Sequence, residues 1–383
     1  MKALFIGSYP NALEPTRNIF FKKLIFEMAR QDVECTVISP VSYTAYRRRI
    51  SMIKEYDCEM TETGELVEVY RPRMVSYSAK KLFSWNTMHL TQRASQNAVL
   101  RVCKKLDMTS FDFVYGHFFL GGGLTASVVA KKYDLPAFIA YGECDFVSEV
   151  SSKFGDLSKK NMENVRGIIC VSSANFKDMQ SRDFAKDIPL MLSLNAVDGS
   201  KFYKRDKLEC RRALNMPEKD FIVGFAGYFI ERKGPDRVLE ACNGIDGVKV
   251  AFAGKGAIPL EGDNIVFKRA LIHDEMPIFM NAIDVFVLPT RHEGCCNAII
   301  EAMSCGQPVI SSDRPFNYDV PTPECSRLVD PDDIEAIRAA ILEIKSDTAL
   351  RESMSAASLR ITKSLTIDKR ATQILEFINQ KIR

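Results

Sequence analysis

Short apolar runs along this chain alternate with stretches whose apolar residues recur at helical spacing. "KALFIGS" (2–8) leads into "IFFKKLIFEMARQ" (19–31), where Phe20, Leu24, Ile25 and Met28 form a helical stripe, and then into "ECTVISP" (34–40). Strand, helix and strand in so short a span predict a βαβ unit, and with it a parallel sheet. "FDFVYGH" (111–117), a helix near 122–132, "LPAFIAYGE" (135–143) and "GIICVSS" (167–173) continue the rhythm. A second series opens at "DFIVGFAG" (220–227), with a helix near 234–243. It runs through "VKVAFAG" (248–254), "NIVFK" (264–268), "IDVFVLPT" (283–290) and "QPVISSD" (307–313). The polar stretch 195–220 lies between them, so a linker is expected near 190–205. The expected domains are 1–195 and 196–366, both α/β. The final helical pattern, 367–383, is long enough to pack back, with the first domain as the expected partner.

Residues 42–95 break the rhythm. Arg47, Arg48, Arg49, Lys54, Arg71, Arg73, Lys80 and Lys81 are mixed there with Tyr43, Tyr46, Tyr70, Tyr77, Phe83 and Trp85. An insert of this kind is expected above the sheet, where functional loops gather. It reads either as a solvated face, its charge offset by acidic residues between 55 and 68, or as a contact for phosphates or anionic headgroups.

Composition narrows the classes. The 383 residues carry 52 basic and 49 acidic side chains for a net charge of +3, without the concentrated basic excess of a nucleic-acid binder. The 11 cysteines include no C-x-x-C pair, so zinc-ribbon and thioredoxin spacings are absent and reduced thiols are the simpler reading. The opening apolar run before Gly7 is too short for a signal peptide, and no apolar stretch is long enough to span a membrane. A cytoplasmic protein is expected, with peripheral membrane contact left open.

Two stretches carry candidate chemistry. In "EGCCNAIIEAM" (293–303), Glu293 falls in the loop after a buried strand. A short helix follows from about Asn297 to Ser304, ended by Gly306 and Pro308. Ligands of open parallel sheets bind at this edge, and a helix N-terminus there favours anions such as phosphates. Glu301 is one residue too far from Asn297 for a capping box, and reads equally as a sugar-hydroxyl ligand or an ordinary carboxylate on the helix dipole. In "FAGYFIERKGPDRVLEA" (225–241), Arg232 and Lys233 precede a helix start at Gly234-Pro235. That pair is either a solvated basic loop or a seat for a diphosphate whose charge grows as it departs.

"FAGYFIERKG", "FAGKG" and "IDVFVLPTRHEGCCNAIIEAMSCGQPVISSD" resemble the carboxyl-terminal domain of glycosyltransferase family 4, retaining enzymes of bacterial surface-polysaccharide type. The two glutamates with seven residues between them, Glu293 and Glu301, and Lys233-Gly234 carry the likeness. "IFFKKLIFEMARQDVECTVISP", "FDFVYGHFFLGGG", "GIICVSS" and "LNAVDGSKF" extend it over nearly the whole chain. The resemblance implies the GT-B fold: two Rossmann-like parallel-sheet domains facing a central cleft, acceptor-binding first and donor-binding second.

It also implies roles. Glu301 would bind the ribose hydroxyls of a nucleoside-diphosphate sugar, and Glu293 would sit by the transferred sugar. Backbone around Cys295, Cys296, Asn297 and Ala298 would hold sugar hydroxyls and diphosphate, with Lys233 neutralising the leaving group. His117, alone a packed histidine as readily as a catalyst, matches the family's active-site histidine. The Gly121-Gly122-Gly123 stretch after it reads as a loose turn. No metal or other cofactor is expected. The acceptor would be a glycan or a lipid-linked one, with 42–95 touching the inner face of a membrane. The chain departs from the family at Tyr228, where an arginine is usual and Arg232 is the candidate substitute. It departs too at Asn18, at Tyr141-Gly142 and at "RPFNYD" (314–319). A nucleotide-sugar epimerase of the same fold and a non-catalytic sugar-nucleotide-binding subunit stay open as alternatives.

Overall fold

Strands buried on both faces need no polar alternation, and the central strands of this chain have almost none: "AFIAY" (137–141) and "VFVL" (285–288) are buried at every position. The structure, a computed structural model, describes residues 1–77, 81–82, 85–144 and 162–382. The chain divides into two units, Met1–Ser193 with Arg370–Arg383, and Leu194–Lys369.

The first unit is built on an eight-stranded sheet. Its strands are β1 (Lys2–Ile6), β2 (Glu34–Ile38), β3 (Tyr56–Met60), β4 (Leu66–Tyr70), β5 (Phe113–Gly116), β6 (Ala137–Tyr141), β7 (Val165–Cys170) and β8 (Leu190–Leu192). They lie in the order β8-β7-β6-β5-β1-β2-β4-β3, parallel throughout except for the β3–β4 hairpin. Helices α1 (Ile19–Arg30), α2 (Met88–Cys103) and α3 (Leu124–Tyr133) cover it. Phe5, Phe21, Phe113, Tyr115 and Phe138 are fully buried in its core.

Part of the 42–95 stretch departs from expectation. Val67 and Val69 of β4 pair in parallel with Cys35 and Val37 of β2, so β3 and β4 extend the sheet rather than sit above it. The period-2 burial of Leu66–Tyr70 is the reason, since one face of an edge pair is solvated. The exposed turn Arg47–Met52 is anchored by Ile50 and Ile53 against Val41. The side chains of Lys80, Lys81, Phe83 and Trp85 lie outside the described residues.

The second unit holds β9 (Phe221–Phe229), β10 (Val248–Gly256), β11 (Ile265–Arg269), β12 (Val285–Leu288), β13 (Val309–Ser312) and β14 (Ser326–Val329). The order is β11-β10-β9-β12-β13-β14, with every pairing parallel. Helix α4 (Pro235–Cys242) follows β9, and α5 (Asn297–Ser304) follows β12. The last helix, α6 (Ile367–Ile382), returns to the first unit, where Phe377 meets the Phe138 ring at 6.1 Å and fills the space a side chain at Gly167 would need.

Candidate active site

In open parallel sheets ligands bind beyond the carboxyl ends of the strands, where the strand order reverses. In the second unit that point lies between β9 and β12, which are neighbours although β10 and β11 intervene in sequence. The chain leaving β9 turns at once, with Lys233 N donating to Ile230 O at 3.0 Å, and Gly234 then starts α4. Pro235 at the first helical position sacrifices no hydrogen bond, because that N–H has no partner in any helix.

The Lys233 stem lies against Gly227, where an added Cβ would be 3.0 Å from Cδ, and its ammonium sits 2.9 Å from Glu293 Oε1. Arg232 Nη1 is 3.0 Å from the same oxygen and also donates to His292 O. The expected residues Arg232, Lys233 and Glu293 therefore meet on one carboxylate. Burial would lower the Lys233 pKa, but Glu293 overrides it and the net shift is upward, so the ammonium stays charged.

A second arginine laces the same loops from behind. Arg237, on the buried face of α4, donates to Glu231 O at 3.0 Å and Pro289 O at 2.7 Å. Its guanidinium occupies the place a Cβ on residue 234 would take, 2.3 Å away at the nearest, and Gly234 also has a left-handed φ of +67°. Arg291 adds an outer layer. Its N–H donates to Arg232 O at 2.9 Å, and its guanidinium pairs with Glu231 and Asp332, each at 2.8 Å.

Helix α5 begins at Asn297 and ends in a Schellman pattern, Gln307 N to Ala302 O at 3.0 Å and Gly306 N to Met303 O at 2.9 Å, with Gly306 at φ +77°. The loop before it is pinned by Asn195, whose Nδ2 donates to Cys295 O at 2.9 Å. Cys295 and Cys296 are buried, and burial with the nearby Glu293 charge pushes the Cys296 thiol up to about 12, so sulfur nucleophilicity is suppressed. Asn297 Oδ1 is buried without a hydrogen-bond partner at the first turn, where the helix dipole is positive. Ala298 is half-buried beside it, and Glu301 lies a turn further on, also half-buried. Tyr228 is exposed, so the guanidinium beside Glu293 comes from Arg232. In the segment 314–319, buried Asn317 bonds Ser311 Oγ and Ser312 O and so braces the end of β13. Among the described residues no group of three or more His, Cys, Asp or Glu side chains could hold a metal ion.

The first unit has its own switch point, between β1 and β5. His117 follows β5 there, stacked on Phe21 with ring centroids 4.1 Å apart, and both its ring nitrogens are buried without hydrogen-bond partners. Burial, helped by the Arg370 charge, lowers its pKa to about 3, so the imidazole is neutral at pH 7. The glycines after it are not a loose turn. A Cβ on Gly122 would lie 2.2 Å from His117 O, and one on Gly123 2.5 Å from Ile139, so these glycines permit close packing of the loop under the strands. Phe118 takes the left-handed region at φ 62°. Asn18 adopts φ 50°, the conformation that asparagine tolerates best after glycine, and its Nδ2 donates to Ser8 O at 3.1 Å. The carboxylate of Glu143 accepts Leu120 N at 2.7 Å and Gly142 N at 3.2 Å, and burial raises its pKa to about 7.

Residues 206–360, which contain both loops and α5, match the family model of glycosyl transferases group 1. The chain is a glycosyltransferase with the GT-B fold. A putative teichuronic acid biosynthesis glycosyltransferase, TuaC of Bacillus subtilis, is 25% identical over 82% of this chain and 81% of its own. The Rhizobium meliloti lipopolysaccharide core mannosyltransferase LpsB is 28% identical over 49% of this chain and 60% of its own. Among solved structures, the sucrose-phosphate synthase of Thermosynechococcus elongatus superposes with a TM-score of 0.79 at 18% identity, over 99% of this chain and 98% of its own. Anabaena HepE, solved with UDP and glucose, gives 0.70 at 15% identity over 99% and 100%.

Sequence reasoning missed three residues that shape this glycosyltransferase's loops: Arg237, Asn195 and Glu143. Only Arg237 left a signal, a charge at a position of α4 that its neighbours Val238 and Ala241 mark as buried.

Proposed function

We propose that the enzyme transfers a sugar, with retention, from a nucleoside-diphosphate sugar to an acceptor hydroxyl in surface-polysaccharide assembly. The observation that carries this is the convergence of Lys233 and Arg232 on Glu293 beside the start of α5. Two cations held at a helix N-terminus stabilise a departing diphosphate, which takes the electron pair of the breaking sugar–oxygen bond. In this reading Glu301 holds the ribose and Glu293 orients the sugar. Neutral His117 hydrogen-bonds on the acceptor side, and no metal is needed. The UDP and glucose in the HepE structure, and the teichuronic acid biosynthesis to which the putative glycosyltransferase TuaC belongs, support the donor and acceptor classes. The acceptor is lipid-linked, and the exposed surface around Tyr43, Arg47, Arg48, Arg49 and Met52 meets the inner membrane face. Among the described residues no helix is long and apolar enough to cross a membrane.

The test incubates the enzyme with UDP-, GDP- and ADP-sugars, with and without a lipid-linked glycan, and follows diphosphate release and product anomer. Acceptor-independent epimerisation of the donor would sink the transferase reading, and an inverted anomer would sink retention. Glu301→Ala should weaken donor binding in calorimetry by at least about tenfold, from loss of a charge-assisted hydrogen-bond pair. Unchanged affinity would remove Glu301 from the site.

A further inference from the structure

An open sheet ends in strands with one unpaired edge, and proteins ordinarily guard that edge with charges, proline or a covering element. Strand β3 (Tyr56–Met60) is such an edge in the first unit, with β4 on one side and, among the described residues, no strand on the other. Its phase against β4 is set by Thr61 N donating to Glu65 O at 2.9 Å and Arg71 N donating to Glu55 O at 2.6 Å. Odd-numbered residues therefore bond to β4, while the N–H and C=O of Tyr56, Cys58 and Met60 point away from it. The side chains of the same three residues are exposed, Tyr56 to 49% and Met60 to 65%, and Leu66, paired with Met60 across the hairpin, is exposed to 61%. We propose that β3 pairs with β3 of a second copy of this chain, antiparallel about a two-fold axis at Cys58, so that the sheets of two first units become one. This pairing is independent of the transfer reaction.

A two-fold interface is made of one patch used twice, so the strand must complement its own reverse. About Cys58, Tyr56 falls opposite Met60 of the second copy, and Met60 opposite its Tyr56. Every outward N–H and C=O at the three positions then gains a partner, and each thioether meets an aromatic ring. Just beyond the strand ends, Lys54 falls opposite the second copy's Glu62 at both ends of the pairing. Each has only a surface partner in its own chain, Asp57 at 3.2 Å and Arg30 at 3.3 Å. On the other face Asp57 meets the second copy's Glu59. That carboxylate is already held by Lys22 Nζ at 2.6 Å and Arg71 Nη2 at 2.9 Å, so the cluster facing Asp57 carries a net positive charge. Slipping the ladder one step either way would set Asp57 against Asp57 or Glu59 against Glu59, and like charges directly opposite are unfavourable. Charge complementarity therefore selects a second copy as the occupant and fixes the register.

The register makes its own reporter. Residues facing each other in a hydrogen-bonded antiparallel pair have Cα atoms about 5.5 Å apart, inside the roughly 4.4–6.8 Å range of a disulfide. Among the described residues Cys58 is the one exposed cysteine, so oxidation of the dimer joins Cys58 to Cys58 and no other pair. A ladder between two five-residue strands is a small interface, and the dimer it makes is reversible and concentration-dependent.

Sedimentation velocity of the full chain from about 1 to 100 μM, the range of small interfaces, should show a monomer–dimer equilibrium under reducing conditions. Diamide, which takes up two hydrogens as two thiols join, should trap a covalent dimer whose linked peptides both contain Cys58. Cys58→Ser should abolish trapping and keep the reversible dimer. Cys58→Pro removes the outward N–H at the axis and no bond to β4, and should weaken dimerisation at least about tenfold. Lys54→Glu should weaken it about fivefold, and Lys54→Glu combined with Glu62→Lys should restore it. Urea midpoints check that each variant is folded. Monomer at every concentration, whether or not the chain sediments with phosphatidylcholine vesicles instead, would overturn the pairing. A disulfide through another cysteine, a dimer indifferent to both Cys58→Pro and Lys54→Glu, or a charge exchange that fails to restore it would do the same.

Discussion

Replacing Lys233 by methionine keeps the stem and removes the charge, and the structure sets what each observable should do. Glu293 loses the ammonium at 2.9 Å but keeps Arg232 at 3.0 Å on the same oxygen. Breaking a buried pair costs about 3–5 kcal/mol when it orphans the partner charge. Here the partner is not orphaned, so the stability loss should be only about 1–2 kcal/mol, nearer a lost charged hydrogen bond. Turnover should suffer more. Removing one preformed donor from a site of developing negative charge lowers kcat by about 10²–10³-fold, or ~2.7–4 kcal/mol. Donor binding is a ground-state property and should weaken less than turnover, because Arg232 and the first turn of α5 remain. The assay is diphosphate release over a range of donor concentrations, with donor Kd from calorimetry and unfolding in urea as the control. Equal losses in kcat and donor affinity would refute a leaving-group role and reduce Lys233 to a strut for Glu293. The raised pKa of Lys233 adds a pH signature. Its ion pair contributes in full below the unfolded value of 10.5 and is lost only as pH rises through the still higher folded value. Lys233 should therefore contribute no ionisation to the rate profile between about pH 6 and 9.

Chelation of divalent ions with EDTA should leave turnover unchanged, since the reading relies on Lys233, Arg232 and the helix dipole; loss of activity restored by added metal would contradict it. Arg237→Met should loosen both loops at once, lowering kcat by on the order of tenfold with a melting temperature within a few degrees of the parent; restoration by added guanidinium ion would identify positioning rather than folding as the cause. Gly234→Ala forces a Cβ against the Arg237 guanidinium at a left-handed φ and should destabilise by about 1–3 kcal/mol in urea unfolding. His117 and Glu143 should tilt stability with pH in opposite senses. The His117 pKa is lowered to about 3, so its burial stabilises fully above 6.5 and stability falls, by up to ~1.4 kcal/mol per unit, as pH drops below that. The Glu143 pKa is raised to about 7, so its contribution is full below 4.5 and is lost as pH rises to 7. His117→Gln should thus unmask a decline in stability from pH 4.5 to 7, and Glu143→Gln a rise from pH 3 to 6.5, both readable from urea midpoints. Parallel pH curves for all three proteins would show that neither group is buried as described.

Much of this protein is written locally in its chain. The limits of α5 follow from a glycine that can adopt φ +77° and a proline just beyond it, features of a few consecutive residues. The apolar strands and helical stripes likewise declare two α/β series, because period and burial are properties of short windows. The pairing of "IERKG" with "RHEG" as one site was legible only through family resemblance. What the tertiary structure alone decided is which distant segments become neighbours. The placement of β12 beside β9 brings Lys233 and Arg232 onto one oxygen of Glu293. The same long-range closure puts the Arg237 guanidinium where a Cβ at Gly234 would stand, captures the Glu143 carboxylate on Leu120 N, and strips His117 of water until its imidazole is neutral. Charge state and partner choice depend on burial and on contacts between residues far apart in sequence, and no local window of residues contains either.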